Sequence, residues 1–258
     1  MQNVILVTGA TGHVGRHVVS QLLGTDAAVR ALARNPDSAG LPGGVEVVRG
    51  DLSVPNTLDR CLDGVEAVFL VWPGLPADFA SAVLDAVRKH ARRIVYLSSL
   101  SVRDDLEQQA DPITAFHADI ERLIEQSGLE WTFLRSSGLT TNTLGWAQQI
   151  RTEGVVRWPY GAAARSLIHE GDIASVAVRV LQSSGHRGAK YLLTGPQAHI
   201  AQAEDPQQSC QQADRHIHEE DGGPAKTRQE QATDAWSRDA TQGSKRTDKA
   251  HGAPALAR

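Results

Sequence analysis

The chain has 258 residues, 41% hydrophobic and 22% charged, with a formal net charge of −4. That is the size of one large domain or a domain with a small appendage, and it offers no broad basic field for a phosphate backbone, so no direct nucleic-acid partner is expected. No apolar run approaches the roughly 20 residues that span a bilayer, the N-terminus has no basic stretch leading into an apolar signal core, and Cys61 and Cys210 form no disulfide framework, so the expectation is a cytoplasmic protein with no membrane partner.

Residues 3–7, NVILV, read as a buried strand, and the next stretch as a helix with Val14, Val18 and Leu22 on one stripe. Further strands are predicted at 28–34, 45–51, 66–72, 93–99 and 130–135, with a helix at 54–62. A helix at 76–90 is to bury Phe79, Val83 and Val87, and one at 112–127 Phe116, Ile120, Leu123 and Ile124. Near-continuous apolar strands alternating with helices predict an α/β fold, a doubly wound parallel sheet covered on both faces, with ligands at the carboxyl ends of the strands. After about Ser136 the rhythm loosens, and 137–170 reads as insertions forming a small C-terminal substrate region. Asp172 is expected to cap a helix running to Leu181, and 189–195 to form the last strand. Residues 1–200 thus read as the nucleotide-binding domain. Beyond residue 204 the large apolar residues thin to Ile217, Trp236 and Leu256, so 201–258 read as a polar, disordered tail.

The stretch VTGATGHVG sets Gly9, Gly12 and Gly15 between the first strand and first helix. One glycine serves the tight turn, one lets the backbone approach a pyrophosphate, and one lets helix and strand pack closely. The helix start then offers free N–H groups and the positive dipole end to an anion. A dinucleotide is therefore expected across Gly9, Thr11, Gly12, His13, Val14 and Gly15. Arg34 closes the second strand, where an acidic residue would favour NAD(H) and an arginine can hold a 2′-phosphate, so NADP(H) is favoured although Asp37 follows closely. Asp51 either reaches the adenine edge or caps the turn after the third strand. Leu52, Val71 and Trp72 complete the expected nucleotide-binding set.

Taken in order, VTGATGHVG, RNP, GDL, VYLSS, LEWTFLR and GDIASVAV resemble the NmrA-like, atypical short-chain dehydrogenase/reductase family over about residues 1–200. The resemblance implies a Rossmann domain binding NAD(P)(H) and a small C-terminal substrate region. Members include quinone and dye reductases, polyketide tailoring enzymes and nucleotide-sensing regulators without turnover, so family membership bears on the cofactor more closely than on the reaction. The wider superfamily's Tyr-x-x-x-Lys pair is absent: Tyr96, Tyr160 and Tyr191 are followed four residues on by Leu100, Ala164 and Gly195. Matched on the helix ending EQSG, Ile113 stands at the tyrosine position and His117 at the lysine position. The family's amphipathic helices after LTGP have no counterpart in the periodicity of this tail.

The catalytic candidates are Ser99, at the end of the fifth strand, and His117, one turn before Glu121. Ser99 would hold a substrate carbonyl, or serve an ordinary turn. His117 would relay a proton, oriented by Glu121, or be a surface histidine in a helix pair. Trp72, Ser99, Trp158, Tyr160 and His169 are the expected substrate contacts, His169 being first a loop residue. Without the tyrosine acid, a quinone is a less demanding acceptor than a simple ketone because its developing oxyanion is delocalised. The expected activity is therefore NAD(P)H-dependent reduction of a small aromatic or quinonoid molecule. The alternatives are a nucleotide sensor acting on a protein partner and a tailoring step on an aromatic polyketide; a homodimer is the expected assembly if the chain associates. No metal is expected, since no His, Cys and carboxylate cluster has ligand spacing.

Overall fold

Apolar runs flanked by glycine and short polar turns fold here as strands, and the amphipathic stretches between them as the helices that cover the strands. In a computed structural model, which describes residues 3–74, 76–157 and 164–200 apart from the side chains of 199 and 200, the order is β1 (Val4–Val7), α1 (His13–Leu22), β2 (Ala28–Ala33), β3 (Glu46–Arg49), α2 (Asp59–Leu62), β4 (Val65–Leu70), α3 (Asp78–His90), β5 (Arg93–Ser99), α4 (Pro112–Gln126), β6 (Glu130–Ser136), α5 (Ala147–Glu153), β7 (Ala164–Arg165), α6 (Glu170–Gln182), β8 (Ala189–Leu193) and β9 (His199–Ile200). Seven strands form one sheet in the order β3-β2-β1-β4-β5-β6-β8, and every pairing in it is parallel. The chain crosses from β3 on one side of β1 to β4 on the other. The strand order therefore reverses beside β1, which opens a crevice at the carboxyl ends of β1 and β4.

Both faces are covered, as the doubly wound reading requires. On one face Val14, Val18 and Leu22 of α1 meet Ile173, Ala177 and Leu181 of α6 over Ile5, Val7 and Phe69. On the other, Leu62 of α2, Val83 and Val87 of α3 and Ile120 and Ile124 of α4 pack over Leu6, Val68 and Ile94. Phe79 does not join its expected stripe: it lies in the first turn of α3 and is 38% exposed, while Val83 and Val87 are buried. The expected helix at 54–62 is a 3-10 turn (Pro55–Thr57) followed by α2. Asp111 starts α4 as a cap that accepts from the N–H groups of Ile113 and Thr114, with Pro112 in the first turn, where its missing N–H costs nothing.

Asp172 is not the cap of α6. The helix begins two residues earlier, and His169 caps it by accepting the Gly171 N–H on Nδ1 at 3.0 Å. Glu170 follows in the first turn and is buried; it accepts from the Thr140 hydroxyl and from the N–H and hydroxyl of Thr141. That fastens the 3-10 segment Thr140–Trp146 and α5 behind it to the start of α6. Beyond, β7 and β9 pair antiparallel. Trp158, Tyr160 and the 201–258 tail lie outside the described residues. Among the described residues, no helix is long and apolar enough to cross a membrane.

Candidate nucleotide and substrate site

The three glycines of the turn stand in different surroundings. Gly9 has φ +58, a left-handed conformation that favours glycine, and a side chain there would meet Val71 Cβ at 3.0 Å. Gly15 is buried in α1, and a Cβ on it would sit 2.1 Å from the Gly9 carbonyl oxygen. Gly12 has ordinary extended backbone, donates its N–H to Gly9 O at 2.9 Å and forms the N-cap of α1 without any side-chain cap. No acidic residue stands in the first turn of α1. The N–H groups of His13, Val14 and Gly15 thus begin a helix that carries no anion of its own, which fits a pyrophosphate.

The crevice beside this turn has a volume of about 480 Å3 and is lined by Gly9, Thr11, Arg34, Asp51, Leu52 and Val71 of the expected set, together with Thr8, Leu32, Ala33, Asn35, Ser38, Ala39, Gly50, Ser53 and Pro73. Asp37 is not among its lining residues. The Asp51 carboxylate takes the turn-closing role, accepting from the N–H and hydroxyl of Ser53 at 2.8 and 2.7 Å. Those bonds hold its carboxyl below the usual aspartate range, with a smaller contribution from the Arg34 charge. Its backbone N–H is taken by the Thr57 hydroxyl. Trp72 departs from its expected position: it is 7% exposed and packs in the core with Leu52 and Leu58, so the crevice wall is made by its neighbours Val71 and Pro73. Alternation along the chain after β4 turns its ring inward.

Two residues that shape the turn were not singled out from sequence. Arg16 donates to the Thr11 carbonyl at 2.9 Å and closes the loop from the helix side. Thr8 is buried; its hydroxyl accepts the Val71 N–H at 2.8 Å and faces the carbonyls of Val71 and Phe69 at 3.1 and 3.3 Å. It ties the end of β1 to the end of β4 where the crevice opens. Thr8→Val keeps the shape but strands the Val71 N–H, and is expected to cost about 1–3 kcal/mol of stability, measured by denaturant unfolding; an unchanged midpoint would show that the tie carries nothing.

The catalytic candidates are held differently from expectation. Ser99 is partly exposed and its hydroxyl accepts the Ser101 N–H at 3.2 Å, the turn role. Ser98, one residue earlier, is buried and donates to Glu121 Oε1 at 2.6 Å. Glu121 therefore does not orient His117: its carboxylate is taken by Ser98 and by Arg135, whose Nε and Nη2 lie 3.0 and 2.6 Å from it. His117 is half-buried and its Nδ1 lies 2.8 Å from the Tyr96 hydroxyl. Burial pushes the His117 pKa below the usual histidine range, with Glu121 opposing weakly. Ile113, at the expected tyrosine position one turn earlier, is 70% exposed. His169, an expected substrate contact, instead caps α6 and stands edge-on to His17 of α1 at 5.6 Å.

The fold and the crevice define a Rossmann dinucleotide-binding protein. Residues 9–184 match the family described as NAD(P)H-binding, and the chain belongs to that family as an atypical, NmrA-like short-chain dehydrogenase/reductase. It is 43% identical over 211 residues to the (4-alkanoyl-5-oxo-2,5-dihydrofuran-3-yl)methyl phosphate reductase of Streptomyces griseus, covering 80% of this chain and 73% of that one. It is 34% identical to the NAD(P)H azoreductase of Xenophilus azovorans over 76% of this chain and 69% of that one. Among solved structures, the NADPH complex of the quinone oxidoreductase QOR2 from Escherichia coli is similar with a TM-score of 0.69 at 26% identity, covering 81% of this chain and 75% of that one. The chain is thus an NAD(P)H-dependent oxidoreductase.

Proposed function

We propose that the chain reduces a small aromatic or quinonoid acceptor, with NADPH preferred over NADH. When bound, the nucleotide supplies a hydride. The observation that carries the reading is the nucleotide crevice taken together with an α4 that has Ile113 and His117 in place of a tyrosine–lysine pair. With no phenol to protonate a localised alkoxide, the substrate must tolerate the negative charge itself. A quinone or similarly conjugated acceptor does so by delocalisation: the hydride brings both electrons to the acceptor, one proton follows from solvent, and the product is the hydroquinone or its equivalent. The named relatives support this, since the acceptors in their names are a butenolide, an azo compound and a quinone. Each can spread an added electron pair over an oxygen or nitrogen.

The chain's own part is to hold and orient. The α1 N-terminus and the glycine turn would receive the pyrophosphate, and Arg34, flanked by Asn35 and Ser38 on the crevice wall, would receive the 2′-phosphate. The crevice face free of Asp37 supports that preference. Arg34→Ala is expected to weaken NADPH by about 1–3 kcal/mol and leave NADH unchanged, read by calorimetric titration of both nucleotides. Equal affinity of the unaltered protein for the two would overturn the NADPH preference. The activity is tested by following nicotinamide absorbance with NADPH and a panel of benzoquinones, naphthoquinones and azo dyes. Tight nucleotide binding with no oxidation by any acceptor would overturn the quinonoid reading and favour a sensing role.

A further inference from the structure

Two polar cross-links join β5 to α4. Tyr96 and Ser98 lie two residues apart on β5 and so share a face; His117 and Glu121 lie four apart on α4 and so share a stripe. The Tyr96 hydroxyl meets His117 Nδ1 at 2.8 Å, and Ser98 Oγ meets Glu121 Oε1 at 2.6 Å. Tyr96 has no exposed surface, and its ring stands edge-on to Phe133 of β6 at 6.2 Å. A buried O–H with no acceptor is unfavourable by an amount that would dominate the choice of proton positions. Among the described residues, the hydrogen-bond partner of this phenol is His117 Nδ1.

We infer that Tyr96 is a positioning residue: its hydroxyl donates to Nδ1 and fixes His117 as the neutral tautomer protonated on Nε2, so that the ring has one N–H, on Nε2, to offer the acceptor oxygen of a bound substrate. The tautomer follows from the two partners alone, and its use on a substrate rests on the reductase reading above. The groups facing the ring agree with a neutral imidazole. From β5 comes the Tyr96 phenol, which burial, and secondarily the Glu121 charge, keeps protonated far above its ordinary range. From its own helix come Phe116, edge-on at 5.3 Å, and Glu121. Glu121 in turn is neutralised by Arg135 of β6, which also holds Asp104 from the loop after β5. A neutral imidazole N–H stabilises developing negative charge by a hydrogen bond without surrendering its proton, and water then protonates the released phenolate. The superfamily's tyrosine acid is thereby replaced by a donor, which is enough for an acceptor that delocalises its charge.

The test begins on the nucleotide-free protein, by long-range proton–nitrogen NMR of the imidazoles in 15N-labelled material at neutral pH, with His117→Gln identifying the His117 signals. The expected pattern is Nε2 protonated and Nδ1 bare, with the ring titrating below an ordinary histidine. Tyr96→Phe is expected to abolish the single-tautomer pattern and raise the titration midpoint, which a role in packing alone would not do. With a quinone that the unaltered protein reduces, Tyr96→Phe is expected to lower kcat about tenfold and His117→Ala about 100-fold, the scale seen when one oxyanion donor is lost, both with nucleotide affinity unchanged. Retention of most of kcat by His117→Gln, whose amide still donates, would fit. An Nδ1-protonated ring, two tautomers in exchange in the unaltered protein, or Tyr96→Phe with tautomer and kcat unaltered would each overturn the inference. Should Tyr96→Phe not fold, the tautomer of the unaltered protein decides. Should no quinone be reduced, the reductase reading fails while the NMR still decides the Tyr96 assignment.

Discussion

Replacing Arg135 by methionine is expected to destabilise the protein by about 3–5 kcal/mol, the scale of a buried ion pair broken on one side. Arg135 and Glu121 are each 3% exposed. The guanidinium reaches both oxygens of Glu121, both of Asp104, and the Val102 carbonyl. Methionine fills part of the volume but leaves the Glu121 carboxylate facing only the Ser98 hydroxyl. The sign of the pH dependence follows. A stranded buried carboxyl has its folded pKa raised above the unfolded value of about 4.3, so the penalty is absent below that value, grows as pH rises and levels off above the folded pKa. Unfolding of Arg135→Met should thus be closer to the parent at pH 5 than at pH 8. Arg135→Met/Glu121→Gln removes the stranded charge, keeps an acceptor for Ser98 and should recover more than half of the loss. A single substitution costing under about 1 kcal/mol would show that the network is not buried as described. Asp104 behaves oppositely: hydrogen bonds from Arg135, then Lys190, hold its carboxyl well below the usual range. Its contribution is present above about pH 4 and is lost as pH falls, and it is modest because the carboxylate is half open to water.

What the sequence made legible is whatever has a local cause. Buried strands announce themselves as short apolar runs, and each glycine of the turn has a reason that lies within seven residues. The crevice residues Arg34, Asp51 and Val71 follow because a parallel strand delivers its last residue to the same edge as its neighbours. The failures are of two kinds. Some are choices among adjacent residues: His169, Glu170 and Asp172 are all polar, and only the extended backbone at His169 decides which of them caps α6. Ser98 and Ser99 differ by one step of the strand, and the pleat sends one inward to Glu121 and the other to a turn. The rest depend on how a helix sits over a strand. Tyr96 reads as an ordinary apolar strand residue until α4 brings His117, 21 positions further on, over it, and Thr8 meets Val71 at a separation of 63. His117 and Glu121 have ideal spacing for a helix pair, yet Arg135, arriving from β6, takes the carboxylate. A charged partner offering several hydrogen bonds outcompetes a weakly basic, half-buried imidazole.

Gly15→Ala is expected to be the most damaging change in the glycine turn, and Gly12→Ala its contrast. At Gly15 the new methyl would lie 2.1 Å from Gly9 O, 2.6 Å from its carbonyl carbon and 2.9 Å from Ala10 Cα. All three are backbone atoms of the turn, so no side chain can swing away; α1 must lift from β1. Such overpacking costs about 1–3 kcal/mol and occasionally more, with the upper end expected here because only backbone atoms meet the methyl, and it displaces the first-turn N–H groups that would receive the pyrophosphate. Both stability and nucleotide affinity should fall. At Gly12 the methyl would be 3.2 Å from Gly9 O, and the backbone, at φ −80, suits any residue. Stability should change by less than about 1 kcal/mol, while nucleotide affinity is expected to fall at least about tenfold, or about 1.4 kcal/mol, if the phosphates approach this turn as proposed and meet the methyl. Denaturant unfolding without nucleotide and calorimetric titration with NADPH separate the two effects. Gly12→Ala binding as tightly as the parent would place the pyrophosphate elsewhere than over this turn. A Gly15→Ala protein as stable as the parent would mean that α1 does not press on β1, and the assignment of one glycine to packing and the other to the ligand would be reversed.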